Sequence, residues 1–396
     1  MLSRLFFSVG EPSGDLHAAN LIRALTANAP KLHCRGFGGL QMVQAGFECD
    51  FDLTQMAVVG ISEVIPKLRE FYRLADQATD IFRSGAVDAV VLVDFPGFNW
   101  HIAKRAKQFG LPVFYYCPPQ LWAWGGWRVK KMRKYVDRVL CNLPFERDWF
   151  AKNNVPADFV GHPFFDDVAH RTLDSRFIQK VRRYDHLQVA VLPGSRDHEV
   201  DNIWPIQLEV IRRLNRKYPD VQFLVAAYKD AHALRCREHL KPSDRSLPLD
   251  FFVGKTSELI QLADCSLMKS GSVSLEMMAR STPAVVVYHL SRISYAIMRS
   301  LAQCDSMTLP NLIAGKTIMP EFLAVGKSEK TMGQVTAAMD RMLGDDKFRA
   351  DCRHQLQVMA DEIGQPGASR RAAETILAQL SQIPAAKAHT NVRTAA

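Results

Sequence analysis

Asp88-Ala-Val-Val-Leu-Val-Asp94-Phe-Pro-Gly-Phe-Asn99 is the stretch on which the fold turns. From Ala89 to Val93 it is a continuous apolar run rich in β-branched residues, the pattern of a strand buried on both faces of a parallel sheet. The run stops at Asp94, Pro96 and Gly97 block a simple continuation, and a helical pattern takes over near Asn99. In open α/β sheets ligands bind just beyond the carboxyl ends of the strands, so Asp94 stands where such a fold keeps its chemistry. Asp is also a common helix cap and turn residue. On this window alone the capping role is favoured; the rest of the chain shifts the balance.

At 396 residues the chain exceeds the usual size of a single core, and two domains are expected. Its 47% apolar and 23% charged content is ordinary for a globular protein. No apolar stretch approaches the roughly 20 residues of a membrane-spanning helix. Met1 to Arg4 run straight into a strand over Leu5 to Val9, without the pattern of a signal peptide, so a cytoplasmic protein is expected. Eight cysteines are scattered with no CxxC pair, which indicates neither a zinc site nor a disulfide framework. A net charge of +9 points to an anionic partner: nucleic acid, a phosphorylated substrate or an anionic membrane surface.

Working outward, the first unit is a strand, the turn Gly10-Glu11-Pro12-Ser13-Gly14-Asp15 and a helical pattern from Leu16 to Leu25. The turn is neither a Walker loop nor a GxGxxG fingerprint. Taken alone, Glu11 and Asp15 read as acidic residues at a helix start. Arg35-Gly-Phe-Gly-Gly39 reads as a turn after a short strand. Met56 to Lys67 is unusually apolar for a connection, with Lys67, Arg69 and Arg73 on the helix that follows; an ordinary core-facing helix or a membrane-facing one both fit. Beyond Asp94 come a helix over about Trp100 to Phe109, a strand over Val113 to Tyr116 and the aromatic loop Pro118-Pro-Gln-Leu-Trp122-Ala-Trp124. A basic helix, a strand over Val139 to Asn142, Pro144-Phe-Glu146 and Val160-Gly-His-Pro163 complete this half. The alternation of strand and helix argues for a parallel doubly wound sheet.

Residues 164 to 187 are polar with no clear strand, and the domain junction is placed there. A second alternating pattern opens with Val189-Ala-Val-Leu-Pro-Gly194-Ser195-Arg196, where turn amides and a guanidinium suit a diphosphate. Strands are expected over Phe223 to Ala227, Asp250 to Val253, Cys265 to Met268 and Pro283 to Tyr288. The third feeds Lys269-Ser270-Gly271-Ser-Val-Ser-Leu-Glu276, a small-residue turn whose helix start suits phosphate and whose Glu276 suits a ribose. Leu309-Pro-Asn311-Leu and Pro320-Glu321 read as loop and helix start. A final amphipathic helix is expected over Ser369 to Leu380, and Pro384 to Ala396 as a disordered tail.

Two such domains facing across a cleft make the GT-B architecture of nucleotide-sugar glycosyltransferases. Gly10-Glu-Pro-Ser-Gly-Asp15, Asp94-Phe-Pro-Gly-Phe-Asn99, Trp122-Ala-Trp124, Pro144-Phe-Glu146, Gly161-His-Pro163, Leu192-Pro-Gly-Ser-Arg196, Ser270 to Glu276, Leu309-Pro-Asn311 and Pro320-Glu321 together resemble the lipid-A-disaccharide synthase family. They fall in family order over roughly residues 5 to 325. The resemblance implies transfer of 2,3-diacylglucosamine from UDP to the 6-hydroxyl of 2,3-diacylglucosamine 1-phosphate, giving a β-1,6-linked disaccharide. It implies Asp94 as general base, Glu11 and Asp15 lining the cleft, and a UDP-sugar site of Gly194, Ser195, Arg196, Ser270, Gly271, Glu276, Asn311 and Glu321. It further implies an inverting reaction without metal or cofactor, peripheral attachment to the anionic inner-membrane surface, and no nucleic-acid partner. A homodimer is compatible with it. Residues 1–170 would be the acceptor and catalytic domain, with a helix over about 366–381 packing back on it, and 171–365 the UDP-sugar domain. The chain departs from the family pattern at Ser272-Val273-Ser274, at Ala324, and at Gly125 and Gly126, which stand before Trp127 and Arg128 where the pattern has Arg directly. Competing readings keep the fold but change the chemistry, to another GT-B UDP-sugar enzyme, a UDP-GlcNAc epimerase or a non-catalytic sugar-nucleotide-binding protein.

Overall fold

Among the described residues, thirteen strands form two sheets, parallel throughout. The first holds β1 (Arg4–Val9), β2 (His33–Gly38), β3 (Glu48–Asp52), β4 (Ala89–Val93), β5 (Val113–Tyr116), β6 (Arg138–Cys141) and β7 (Ala157–Phe159), in the order β3-β2-β1-β4-β5-β6-β7. The second holds β8 (Gln188–Leu192), β9 (Gln222–Ala227), β10 (Leu249–Val253), β11 (Cys265–Lys269), β12 (Ala284–Leu290) and β13 (Glu321–Val325), in the order β10-β9-β8-β11-β12-β13. This computed structural model describes residues 4–56, 68–183, 185–301, 306–326 and 329–382. The apolar stretch over Met56 to Lys67 lies outside the described residues except for Met56, and so does the tail from Pro384.

The α/β expectation holds in both halves. In β4 all five side chains are buried. Val90 and Leu92 join one core with Phe6, Phe37 and Phe98, while Ala89, Val91 and Val93 join the other with Leu5, Phe7 and Leu21. A strand with a core on each face needs an unbroken apolar sequence, because alternate residues point to opposite sides. Each buried Val or Leu contributes about 1.5–3 kcal/mol.

Three helices start on a proline directly after a strand or its turn: Pro12–Asn28, Pro96–Gln108 and Pro144–Lys152. Two of them begin earlier than the sequence suggested, at Pro12 rather than Leu16 and at Pro96 rather than near Asn99. Proline is well suited to the first helical position, where its missing N–H is not needed. Other expectations need correcting too. Arg35 to Gly38 is not a turn but part of β2, and a side chain at Gly36 would strike the Phe7 carbonyl at 2.4 Å. Pro320-Glu321 opens the edge strand β13 rather than a helix, whereas Leu309–Ala314 is helical. The edge strands β3 and β7 escaped detection, since half-exposed edges carry no apolar run.

The chain divides into two compact units, one reaching Asp166 and resuming at Pro366, the other Asp167–Gln365. In the first unit the C-terminal helix Ala368–Ser381 sets Ala372, Ala373 and Ile376 into the core built by Ala18, Leu21 and Ile22. Its first turn is held by Asp166, whose carboxylate accepts from the Ala368 and Ser369 amides at 3.1 and 2.9 Å.

Candidate functional site

Both sheets reverse direction at one place. In the first, the chain winds outward from β1 to β3 and then from β4 to β7, so neighbours β1 and β4 flank the switch point. In the second, β8 and β11 do so. The crevice beyond the carboxyl ends of such a pair is where doubly wound sheets bind ligands. Glu11 and Asp94 follow β1 and β4; Gly194 to Arg196 and Ser270-Gly271 follow β8 and β11.

Asp94 adopts the left-handed conformation, φ 46°, and so does Phe95, φ 47°. That conformation is uncommon for non-glycine residues and strained for Phe. Three groups secure the bend. Asn99 donates from Nδ2 to the Asp94 carbonyl at 2.7 Å and to the Ser8 carbonyl at 3.2 Å, tying β1 to β4. The Tyr115 hydroxyl donates to the same Asp94 carbonyl at 2.8 Å. The Phe95 ring lies across Gly10, where an added Cβ would sit 2.3 Å from it, so only glycine fits there. The helix after Asp94 has Phe95 as its N-cap and no side-chain cap, so Asp94 is not a helix cap. Burial pushes the Asp94 carboxyl above its ordinary pKa, tempered by a bond from the Phe95 amide. Burial and the nearby Asp94 carry the Tyr115 hydroxyl well above its usual value, which keeps it a donor.

The two neighbouring acids differ. Glu11 is the N-cap residue of Pro12–Asn28, half-buried, and its side chain makes no capping bond. Asp15 is 5% exposed, and its carboxylate accepts from the amides of Gly39, Gln41 and Met42 at 3.1, 3.0 and 3.1 Å. It anchors the short helix Leu40–Gln44, which gives it a structural task away from proton transfer. Glu146 is likewise internal, taking the Trp122 indole N–H at 2.8 Å and the Asn142 and Leu143 amides at 3.0 Å. The Trp-Ala-Trp and Pro-Phe-Glu motifs are thus one unit, with Phe145 edge-on to Trp122. Trp124 is half exposed, and the Arg128 guanidinium folds back over its ring at 4.1 Å. Gly125, at φ 70°, makes that return possible: the two glycines still deliver an arginine to the tryptophan. In the Gly-His-Pro motif, burial holds His162 down to about 3, neutral, and Arg371 of the C-terminal helix donates to the Val160 carbonyl at 2.8 Å.

In the second unit Arg196 is the N-cap residue of the helix Asp197–Asn215, with its side chain 59% exposed. The Ser195 and Arg196 amides, expected to face a phosphate, instead donate to Glu199 at 2.9 and 3.3 Å. Glu199 also takes Lys269 Nζ at 2.8 Å, linking the turns after β8 and β11. Burial raises the Glu199 carboxyl, but Lys269 and the amides outweigh it and leave the group below its ordinary value. Gly194, at φ 133°, lies against Glu199, where a Cβ would come within 2.6 Å. The Arg196 guanidinium also reaches Glu199, through Nη1 at 3.5 Å, but stays largely exposed and is the solvent-facing donor of this turn.

The remaining residues form a scaffold. The Ser270 hydroxyl donates to the Met307 carbonyl at 3.4 Å, and Glu321 accepts from the Met307 and Thr308 amides at 3.0 and 2.9 Å. Asn311 is buried, its amide oxygen taking the Ile318 and Met319 N–H groups and its nitrogen the Met319 carbonyl. Glu276 is 2% exposed between Arg280 at 3.0 Å and Arg171 at 3.6 Å. Arg196, Ser270 and Gly271 share the switch-point crevice, while Asn311 is turned wholly to backbone. Sequence reading missed Glu199 and Tyr115. The acidic third helical position after Arg196 was the available signal for Glu199; Tyr115 had none.

Among the described residues no three His, Cys, Asp or Glu side chains converge as a metal site, and no helix is long and apolar enough to cross a membrane. Among solved structures, UDP-GlcNAc 2-epimerase from Neisseria meningitidis bound to UDP-GlcNAc is similar with a TM-score of 0.61 and 13% identity, over 95% of this chain and 99% of that one. A glycotransferase of kitacinnamycin gives a TM-score of 0.64 and 13% identity, over 96% and 100%. At such identities the likeness is one of fold, the GT-B class. In sequence, the lipid-A-disaccharide synthase of Syntrophus aciditrophicus is 35% identical over 376 residues, 94% of this chain and 97% of the relative. With the lipid-A-disaccharide synthetase family model matching residues 5–378 as well, the chain belongs to the lipid-A-disaccharide synthase family of glycosyltransferases.

Proposed function

We propose that this enzyme transfers 2,3-diacylglucosamine from UDP to the 6-hydroxyl of 2,3-diacylglucosamine 1-phosphate, with inversion, without a metal or cofactor, and with Asp94 as general base. The observation that carries this reading is the Asp94 carboxylate. It follows a switch-point strand, it caps no helix, and its bend is held by Asn99, Tyr115 and the bare face of Gly10. In the step proposed, the acceptor oxygen attacks the anomeric carbon from the face opposite UDP. Its proton passes to Asp94 while the glycosidic C–O bond breaks and UDP leaves with the electron pair. Arg196 is the natural ligand of the diphosphate, since its exposed guanidinium offers forked, permanent charge as the leaving group becomes more negative. Ser270 and Gly271 would line the same pocket, with Glu276 near the ribose and Glu321 and Asn311 holding the surrounding backbone. Glu11 is the neighbouring acid on the acceptor side.

Both substrates carry acyl chains, so the enzyme must meet them at a surface. Leu68 and Tyr72 are exposed on the helix Leu68–Arg83 beside Arg69 and Arg73, a face suited to anionic lipid. Sedimentation with vesicles should weaken as salt rises. Pelleting that ignores both salt and anionic-lipid content counts against that part. For the reaction, purified enzyme is incubated with UDP-2,3-diacylglucosamine and the acylated sugar 1-phosphate. UDP and the disaccharide are expected; release of UDP without disaccharide, or epimerisation of UDP-GlcNAc instead, refutes the reading.

A further inference from the structure

The second unit has another cavity, at the opposite end of its sheet. Asp264 immediately precedes β11, and Arg280 and Ser281 stand between the helix Val273–Ala279 and β12, so these residues mark the amino ends of the strands. The turns that carry Arg196 and Ser270 follow the carboxyl ends. Asp264, Arg280 and Ser281 line a cavity of about 780 Å³, together with Arg182 and one face of the helix Asp346–Ile363. That face presents Asp346, Arg349, Arg353 and His354 at helical spacing.

Four arginines thus meet two aspartates, and the aspartates are already engaged. Asp264 pairs with Arg182 at 3.7 Å, and Asp346 pairs with Arg349, which also donates to the Met342 carbonyl at 2.8 Å. Two guanidinium groups form no ion pair with these aspartates. Arg353 is exposed; it donates to the Asp264 carbonyl at 2.9 Å and forms no ion pair among the described residues. Arg280 has a side chain only 9% exposed, bonded through Nε to Glu276 and through Nη1 to Gln261 at 3.1 Å. Its Nη2 is buried and has no acceptor among the described residues. A buried charged donor without an acceptor is costly, so such groups are normally satisfied.

We propose that this cavity is a binding site for a phosphate-bearing anion, separate from the site of sugar transfer. An anion with several oxygens supplies the counter-charge that Arg353 lacks, on a wall it shares with Arg182, Arg280 and Arg349. Guanidinium forks match phosphate geometry, and the cavity is large enough for more than one phosphate group. A free polyphosphate and the phosphate of a lipid headgroup share this chemistry.

Inorganic pyrophosphate is titrated calorimetrically at low salt into the unaltered chain, into full-length Arg196→Ala, in which the diphosphate site is disabled, and into the same variant carrying Arg353→Gln or Lys347→Gln, each checked for an unchanged melting temperature. Lys347 is exposed on the same helix but does not line the cavity. In parallel, the same proteins are sedimented with phosphatidylglycerol and with phosphatidylcholine vesicles. For a free anion, adding Arg353→Gln weakens pyrophosphate by at least about tenfold, as for loss of a charged hydrogen bond, while adding Lys347→Gln leaves binding unchanged. For a headgroup, the same selective loss appears in pelleting with phosphatidylglycerol. The proposal is overturned if Arg196→Ala alone abolishes pyrophosphate binding. It is equally overturned if Arg353→Gln and Lys347→Gln weaken alike, or if neither probe binds the unaltered chain.

Discussion

At the scale of single residues, three acids near one switch point have different fates because their surroundings differ. Asp15 is saturated by three amides, Glu11 stands at a helix start without capping it, and Asp94 is held on a strained bend with its carboxylate uncommitted to any helix. If Asp94 is the base, Asp94→Asn keeps the fold and UDP binding but lowers turnover by about 10²–10⁴-fold. Because burial raises its pKa, the acid limb of the rate profile should lie above the ordinary carboxylate range in the unaltered enzyme. Stability runs the other way. A raised folded pKa stabilises the protein below the unfolded value, and this contribution is lost as pH rises through the folded one. Asp94→Asn should therefore melt at least as high as the parent at neutral pH. A clearly lower melting temperature with full turnover would return Asp94 to a structural role. Asp15→Ala should do the reverse, costing about 2–3 kcal/mol in urea unfolding, since buried N–H groups lose their acceptor.

Elements are joined by side chains that reach across them. Glu199 binds the turn after β8 to Lys269 at the end of β11, and Glu321 at the start of β13 secures the backbone that leads into the helix Leu309–Ala314. Arg196 is the exception, an exposed guanidinium at a helix start. Arg196→Ala should accordingly leave the melting curve almost unmoved and weaken UDP by roughly 1.5–3 kcal/mol in calorimetry. Unchanged UDP affinity would place the diphosphate elsewhere. Glu199→Gln should weaken UDP and lower stability together, because it loosens the turn that presents Arg196.

For the whole molecule, the two sheets follow one plan, each with a switch point that brings together turns from strands distant in sequence. The chain then returns to close its first unit. The helix Ala368–Ser381 supplies Ala372, Ala373 and Ile376 to that core, and Asp166 and Val160 hold its start. Ending the chain after Gln365 should expose this apolar surface and unfold the first unit preferentially. Limited proteolysis would then leave fragments from 167–365 more persistent than fragments from 4–166. Equal persistence would show that the helix is dispensable.

The sequence alone was enough for the central strands and for the turns after them. β1, β4, β8 and β11 are buried on both faces, which requires the apolar runs that made them legible, and Gly10, Gly97 and Gly194 punctuate their ends. The edge strands β3 and β7 were not legible, because one polar, half-exposed strand resembles a loop. Nor could the sequence say which acids are engaged. Asp15 binds amides up to 27 residues away and Asp166 one that is 203 residues away, as neighbours only after the helices have packed. Local composition sets which backbone a segment can adopt. Only the folded chain decides which buried carboxylate is saturated by backbone donors and which is not.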